Sequence, residues 1–317
     1  MTWTLFDERY RNIIPDYEGF LKALEDDLPV GLRLNKLKAM NDTFLKEIGS
    51  RDGLSLKQTF GEFSFYEAQG LKKHWGGKIE HHLGLYYMQA LSSLLPVYAL
   101  APEKGDAVLD MCSAPGGKSA LIAELMESTG PLICNEPDLN RRRVLKANLE
   151  RMGVFNAATF DALGESLPFK EASFDKILLD GPCSSEGTLR KSHLGMKKRK
   201  LGNFVKYNKD FRVRLQKTQY ELLTKAIYLL KPGGTLVYST CTYDPEENEL
   251  QVDRVLRNFS SMGLDSISLP LDVLNKLTKG LKNYKGQDLE SSLDKTYRVY
   301  PHHLNSIGFY FAKFIKQ

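Results

Sequence analysis

The chain has 317 residues, 42% apolar and 26% charged, with mean hydropathy −0.34; this is the balance of a folded globular protein, and no run of about 18 apolar residues marks a membrane span. Its four cysteines (Cys112, Cys134, Cys183, Cys241) are widely spaced with no C-x-x-C pair, which argues against a zinc site or a disulfide framework. Together with an N-terminus, "MTWTLFDERYRN", that has no secretory pattern, they argue for a reducing, cytoplasmic setting. The net charge is +5, but eleven Lys/Arg against one acid, Asp210, fall between Arg190 and Lys217, so this segment carries +10 and the remainder −5. A local polyanion contact and a plain solvated loop both account for that stretch.

In chain order, "PDYEGFLKALEDD" has helical spacing, "GLRLNKLK" is strand-like and "LKQTFGEFSFYEAQ" is irregular. We assign residues 1–80 to a small N-terminal α+β domain, with a boundary near Gly76-Gly77, and residues 81–317 to a second domain. From Ala107 short apolar runs alternate with amphipathic stretches. "AVLDMC" leads through "SAPGGKS" to the helical "ALIAELMES". "PLICNEP" precedes "LNRRRVLKANLERMG", a helix expected to bury Val144, Leu145, Leu149 and Met152 and to stop at Gly153. "AATFDA" and "FDKILLDGPC" are further strands, the latter apolar through its middle like a strand buried on both faces. "LQKTQYELLTKAIYLLKPGG" reads as a helix ended by Pro232-Gly233-Gly234, followed by the strand "TLVYSTC". This alternation predicts an α/β protein with a doubly wound parallel sheet. "LDSISLPLDVL" and "IGFYFAKFIK" are expected to close it as an antiparallel pair.

Ligands of open α/β sheets bind beyond the carboxyl ends of the strands, at the switch point. The loop there, "CSAPGGKS", matches only the end of a phosphate-binding G-x-x-x-x-G-K-[ST] pattern, because the first glycine is replaced by Cys112. Adjacent Gly116 and Gly117 before a helix still permit close backbone approach and favour a carboxylate, as in S-adenosylmethionine. Glu136 ends the second strand about 20 residues later, where an acid can bind ribose hydroxyls. Arg141 opens the next helix, and Asp161 ends the third strand, within reach of an adenine amine. Each acid alone fits a helix cap; Glu136, Asp161 and Asp180 at successive strand ends fit a ligand site better.

Asp180, Cys183 and Cys241 should converge, since they follow neighbouring strands. A single cysteine is most often a small buried hydrophobe, but these two stand among Ser184, Ser185, Ser239 and Thr240. Beside a methyl donor, a thiolate that adds to carbon 6 of a pyrimidine turns carbon 5 into a nucleophile. Later loss of the carbon-5 proton and of the thiol needs a base and an assisting group. Asp180 is suited to the cytosine amine and ring nitrogen. Spacing alone leaves open which cysteine attacks.

"DMCSAPGGKS", "DGPCSSEGT" and "YSTCTYDPEENE" resemble the signature blocks of the Nol/Nop/Sun family of RNA cytosine-5 methyltransferases. "LRLNKLK" resembles that family's N-terminal RNA-binding region, "GLYYMQALSSLLPV" the block before its first strand, and "YRVYPHHLNSIGFYFAKF" its closing strands. The resemblance implies a Rossmann-like methyltransferase sheet, with Cys241 as nucleophile and Cys183 assisting release. DNA cytosine methyltransferases attack from the Pro-Cys position, so this order comes from the family. Donor contacts are implied at Cys112, Ser113, Ala114, Pro115, Gly116, Gly117, Lys118, Glu136, Arg141, Asp161 and Asp180, with Lys118 approaching the active site. Glu136 stands where many members have Asp, and the 190–217 stretch is longer and more basic than expected. The implied cofactor is S-adenosylmethionine, with no metal. The implied partner is structured RNA, tRNA first and rRNA second, bound by a monomer that contacts no membrane. The N-terminal domain and the basic stretch would hold phosphates, with Phe204, Tyr207 and Phe211 either stacking on bases or pinning the segment down. The alternative is a non-catalytic RNA-binding or ribosome-assembly factor; a DNA methyltransferase is a third possibility.

Overall fold

The computed structural model describes residues 2–39, 41–52, 55–59, 63–69, 75–192 and 209–317. Helices α1 (Thr2–Tyr10) and α2 (Tyr17–Glu25) open the chain. Asp16 caps α2 by accepting the Gly19 backbone N–H, and Tyr17, Phe20 and Leu24 share one buried face at helical spacing. That face stacks with Phe6 and Tyr10 against Tyr243 and Tyr300. The Phe20 and Tyr243 rings meet edge-on, 5.3 Å apart, a favoured aromatic geometry.

β1 (Val30–Leu34), α3 (Thr43–Asp52), β2 (Ser55–Thr59), β3 (Phe65–Gln69), α4 (Ile79–His82) and β4 (Tyr86–Met88) follow. The strands form an antiparallel sheet in the order β2-β3-β1-β4 over a core that includes Leu32, Leu45, Ile48, Tyr66 and Trp75. The stretch read as irregular therefore contains two paired strands, with Leu56 opposite Ala68 and Gln58 opposite Tyr66. β2 has no fully buried side chain, so it carries no alternating apolar signal. Asn35, just past β1, donates from Nδ2 to the carbonyls of Gly84 and Met152, at 2.7 and 2.8 Å.

The predicted alternation builds the larger sheet. β5 (Val108–Asp110), β6 (Leu132–Asn135), β7 (Ala157–Phe160), β8 (Phe174–Asp180) and β9 (Leu230–Thr240) run parallel in the order β9-β8-β5-β6-β7. Neighbouring residues on each strand point to opposite faces. Val108, Leu178 and Val237 enter a core shared with α5 (Leu95–Leu100) and α6 (Gly117–Leu125). Leu109, Ile177, Leu179 and Tyr238 enter the other, which also holds side chains of the helices spanning 209–229 and 249–258. Burial on both faces is why these strands read as apolar runs.

α7 (Leu139–Met152) is capped by the Asp138 carboxylate on the Arg141 N–H, 2.8 Å, and by Gly153 at φ +77°. Its buried residues are Leu145, Leu149 and Met152. Val144, expected on that face, is half exposed, because one residue's step turns a side chain about 100° around the axis. α8 (Lys209–Leu229) ends before the expected Pro-Gly-Gly stop, and α9 (Glu249–Asn258) follows β9. Those three residues instead lie where the β8–β9 register shifts.

The closing strand is long, but its partners differ from the expected pair. After β10 (Met262–Leu264), β11 (Thr278–Lys279) and the small hairpin β12 (Asn283–Tyr284)–β13 (Gln287–Asp288) come β14 (Tyr297–Val299) and β15 (Phe309–Lys316). β15 runs antiparallel to β9, β14 and β10. Of "LDSISLPLDVL" only Leu264 is in a strand, and Leu271–Leu274 forms a short helix behind Pro270, whose missing N–H suits a helix start. The chain thus leaves β5 for β6 and β7, then returns to β8 and β9 on β5's other side. The carboxyl ends of β5 and β8 flank the switch point.

Candidate active site

β5 ends in Asp110, and the following turn reaches α6 at Gly117. Gly116 has φ +104°, a conformation glycine adopts without steric cost. A Cβ on Gly117 would lie 2.7 Å from the Tyr87 ring and 3.3 Å from Gln89 Oε1, so the turn has no room for a side chain. Cys112, Ser113, Ala114, Pro115, Gly117 and Lys118 line one pocket with Asp110 and Asp180, and Tyr87, Gln89 and Ser93 close its other wall. Gly116 shapes the turn. The first-turn N–H groups of α6 have no intrahelical acceptors, and they favour an anion.

Asp180 lies opposite Ser239 on neighbouring parallel strands, so the segments beyond β8 and β9 emerge side by side. Cys183 Sγ and Cys241 Sγ are 3.4 Å apart, with Ser185 Oγ 3.6 Å from Cys241 Sγ and 3.9 Å from Cys183 Sγ. Asp180 accepts hydrogen bonds from Lys118 Nζ at 2.7 Å and Ser239 Oγ at 2.8 Å. The Cys183 hydrogen bond, aided by Ser185 and Lys118, holds the Cys241 thiol below its ordinary range against burial and Asp180. The same hydrogen bond, then burial and the charges of Cys241 and Glu247, pushes Cys183 well above it. Of the two, Cys241 is thus the sulfur favoured as thiolate and Cys183 the one favoured as thiol. Burial lowers the affinity of Lys118 for its proton, but the Asp180 charge and hydrogen bond overcome this and raise it. Cys112 and Cys134 are both pushed up by burial, which leaves them poor nucleophiles.

The family described as "16S rRNA methyltransferase RsmB/F" matches residues 97–315. The chain is 36% identical, over 98% of its length and 94% of the relative's, to the tRNA (cytosine(49)-C(5))-methyltransferase of Pyrococcus abyssi. It is also 36% identical, over 94% of its length, to the 28S rRNA (cytosine(4447)-C(5))-methyltransferase of Homo sapiens, of which it spans 35%. A solved methyltransferase homolog from Pyrococcus horikoshii superposes with a TM-score of 0.81 at 32% identity, covering 99% of this chain and 95% of that one. The chain belongs to this methyltransferase family. The resemblance to the Nol/Nop/Sun methyltransferases is thus borne out, as is the doubly wound fold.

Within this family member, Glu136 is buried beyond β6. Its Oε1 accepts the Asp138 N–H at 3.0 Å and its Oε2 lies 3.2 Å from Arg141 Nη2, which also donates to the Ala114 carbonyl at 3.3 Å. Glu136 and Arg141 are therefore tied to the glycine loop. Asp161 is not brought in: it is two-thirds exposed and paired with Arg142 at 3.3 Å. Tyr87, Gln89, Ser93 and Asp110 were not singled out from the sequence, although the "GLYYMQALSSLLPV" block contains the first three.

The charge reading needs correction at Arg190 and Arg212. Arg190 is buried and donates to the Asp26 and Asp27 carbonyls and to Asn305 Oδ1. Arg212 is buried between Glu186 and Asp244. Arg33, in the "LRLNKLK" block, is fully buried on Glu124 of α6. Counting charge cannot reveal a partner distant in the chain, so residues read as phosphate contacts serve here as internal struts. Phe211 is partly exposed; Phe204, Tyr207 and most of the basic stretch lie outside the described residues. Among the described residues no helix is long and apolar enough to cross a membrane, and no His, Cys, Asp or Glu cluster could hold a metal.

Proposed function

We propose that this chain transfers a methyl group from S-adenosylmethionine to carbon 5 of cytosine in structured RNA, with Cys241 attacking and Cys183 assisting release. The observation that carries this is the thiol pair 3.4 Å apart beside the Lys118–Asp180 pair at the donor pocket. The pocket residues suit the donor: the α6 N-terminus suits its carboxylate, the glycines leave space for close approach, and buried Glu136 suits its ribose hydroxyls. When bound, S-adenosylmethionine supplies an electrophilic methyl carried on a sulfonium.

The Cys241 thiolate adds to carbon 6 of the target cytosine, forming an S–C6 bond and placing the displaced electron pair at carbon 5. Asp180 accepts from the cytosine amine as charge shifts on the ring, with Lys118 fixing the carboxylate's orientation. After carbon 5 gains the methyl, its proton passes to water, the C5–C6 double bond re-forms and Cys241 leaves as thiolate. The Cys183 thiol donates a hydrogen bond to that departing sulfur. A target inside a helix must first be flipped out, at a few kcal/mol, so loops and junctions are favoured.

We assign residues 1–80 to RNA binding, the reaction to the cytoplasm, and tRNA as the substrate. The tRNA assignment is supported by the Pyrococcus abyssi tRNA enzyme, which the chain matches along 94% of that protein, whereas the human rRNA enzyme extends far beyond it. The test is transfer of labelled methyl to tRNA and rRNA. Wild type should methylate cytosine in tRNA, Cys241→Ala should lose transfer and adduct together, and Cys183→Ala should accumulate an RNA adduct at Cys241. Adducts at Cys183 would reverse the order of the thiols. Tight RNA binding with wild type and Cys241→Ala equally silent would leave a scaffold.

A further inference from the structure

We infer that Glu247 and Gln219 are positioning residues for the release thiol, gripping the backbone on both sides of Cys183. This rests on the reading that Cys183 assists release. Gln219, fully buried on α8, donates from Nε2 to the Pro182 carbonyl at 2.8 Å and to Glu247 Oε2 at 2.9 Å. The same Oε2 accepts the Ser184 backbone N–H at 2.9 Å. Both chain neighbours of Cys183 are thus tied to one Gln–Glu pair.

The pair is itself anchored to the strand that carries the attacking thiol. The Glu247 carbonyl accepts from the Tyr238 hydroxyl at 2.6 Å, and Tyr238 is on β9, three residues before Cys241. Ser184 Oγ and Thr242 Oγ1, 2.7 Å apart, close the ring between the two cysteine segments. The sulfur–sulfur distance is therefore set by a loop of hydrogen bonds that touches neither sulfur.

Glu247 is a poor choice for stability. Its side chain is fully buried, its Oε1 has no hydrogen-bond partner among the described residues, and Arg212 Nη1 lies no nearer than 3.9 Å. Burial of an acid this sparsely paired costs folding energy. What it gains is geometry at the release step. There the carbon-5 proton passes to water, its bonding pair forms C5=C6, and the S–C6 bond breaks with its pair leaving on Cys241. The Cys183 S–H must then stand within hydrogen-bond reach of that sulfur, and a misplacement of about 1 Å is enough to cost up to 10²-fold.

The experiment compares Glu247→Leu, Gln219→Leu, Glu247→Gln and Cys183→Ala in the full chain, with transcribed tRNA and labelled S-adenosylmethionine. In both leucine variants the KM for RNA should stay at wild type, the first-turnover burst should slow by no more than about threefold as the Cys183 hydrogen bond to Cys241 loosens, steady-state turnover should fall about tenfold, and the RNA adduct should accumulate as in Cys183→Ala. Glu247→Gln, whose amide oxygen can accept both bonds, should restore turnover to within about threefold of wild type. Where Glu247→Leu does not fold, Gln219→Leu gives the same reading, since it removes only the two Nε2 bonds. Burst and turnover falling together without adduct, or turnover unchanged, overturns the inference. An adduct with Cys183→Ala but none with the leucine variants overturns it alone; no adduct even with Cys183→Ala overturns the release reading as well.

Discussion

Arg33–Glu124 and Lys118–Asp180 are both cation–carboxylate pairs that join separate elements, and they do opposite work. Arg33 is fully buried and Glu124 nearly so, 2.5 Å apart, and the Arg33 Nε also donates to Gln89 Oε1 at 3.4 Å. Lys118 and Asp180, 2.7 Å apart, keep 18% and 25% of their side-chain surface exposed, on the pocket. The first pair fastens the N-terminal sheet to α6. The second fixes two groups where a substrate can still reach them. Residue type predicts neither role; access to the pocket separates them.

The sharpest way to break this contrast is to remove one partner from each pair. Arg33→Met strands the Glu124 carboxylate in the interior, and loss of about 3–5 kcal/mol of unfolding free energy is expected. Adding Glu124→Leu should recover most of it, because a matched apolar pair has no unpaired charge. Denaturant unfolding of the two singles and the double reads this as a cycle. A double no more stable than Arg33→Met would show that the pair is more than a strut.

Lys118→Met should do the reverse. The pair is part-exposed, so its loss should change stability by less than about 1 kcal/mol. Methyl transfer should fall about 10²–10³-fold, as when an oriented charge is removed from a developing ionic state, mainly in kcat. Unfolding and single-turnover rates on one preparation check this; a variant that unfolds easily but turns over normally would erase the distinction.

How much of this was legible follows the same line. β5, β6, β8 and β9 were readable because burial on both faces leaves apolar runs, and the carboxyl-edge logic then brought Asp180, Cys183 and Cys241 together. β2 was not, because its side chains stay partly exposed. Arg190 and Arg212 read as part of a solvated basic stretch because their partners lie far away in the chain; Arg190 and Asn305 are separated by 115 positions. Glu247 was hidden in "DPEENE", an acidic run that looks like a solvated helix start, although it is fully buried. Asp161 follows a strand, as read, but its side chain turns outward to Arg142. Strand ends locate a site from sequence, whereas side-chain direction and long-range pairing do not.

Asp110 tests the contrast at its midpoint, because it faces the pocket like Asp180 yet is buried like Glu124. It is 1% exposed; Oδ2 accepts from Ser119 Oγ at 2.7 Å, and Oδ1 has no hydrogen-bond partner among the described residues. Burial, only partly countered by Ser119 and Lys118, pushes its pKa up to about 6. An unfolded carboxyl titrates near about 3.9, so the folded chain holds this proton more tightly. The resulting stability is fully present below pH ~4 and is lost as pH rises through ~6, with no further change above. Asp110→Asn stays neutral and keeps an oxygen for Ser119. Its stability relative to wild type should therefore rise between pH ~4 and ~6, by on the order of 3 kcal/mol, and then level off. Urea unfolding of both proteins across that range decides it. Parallel stability curves would mean that Lys118 reaches Asp110 strongly enough to make it a working member of the pocket's charge pair.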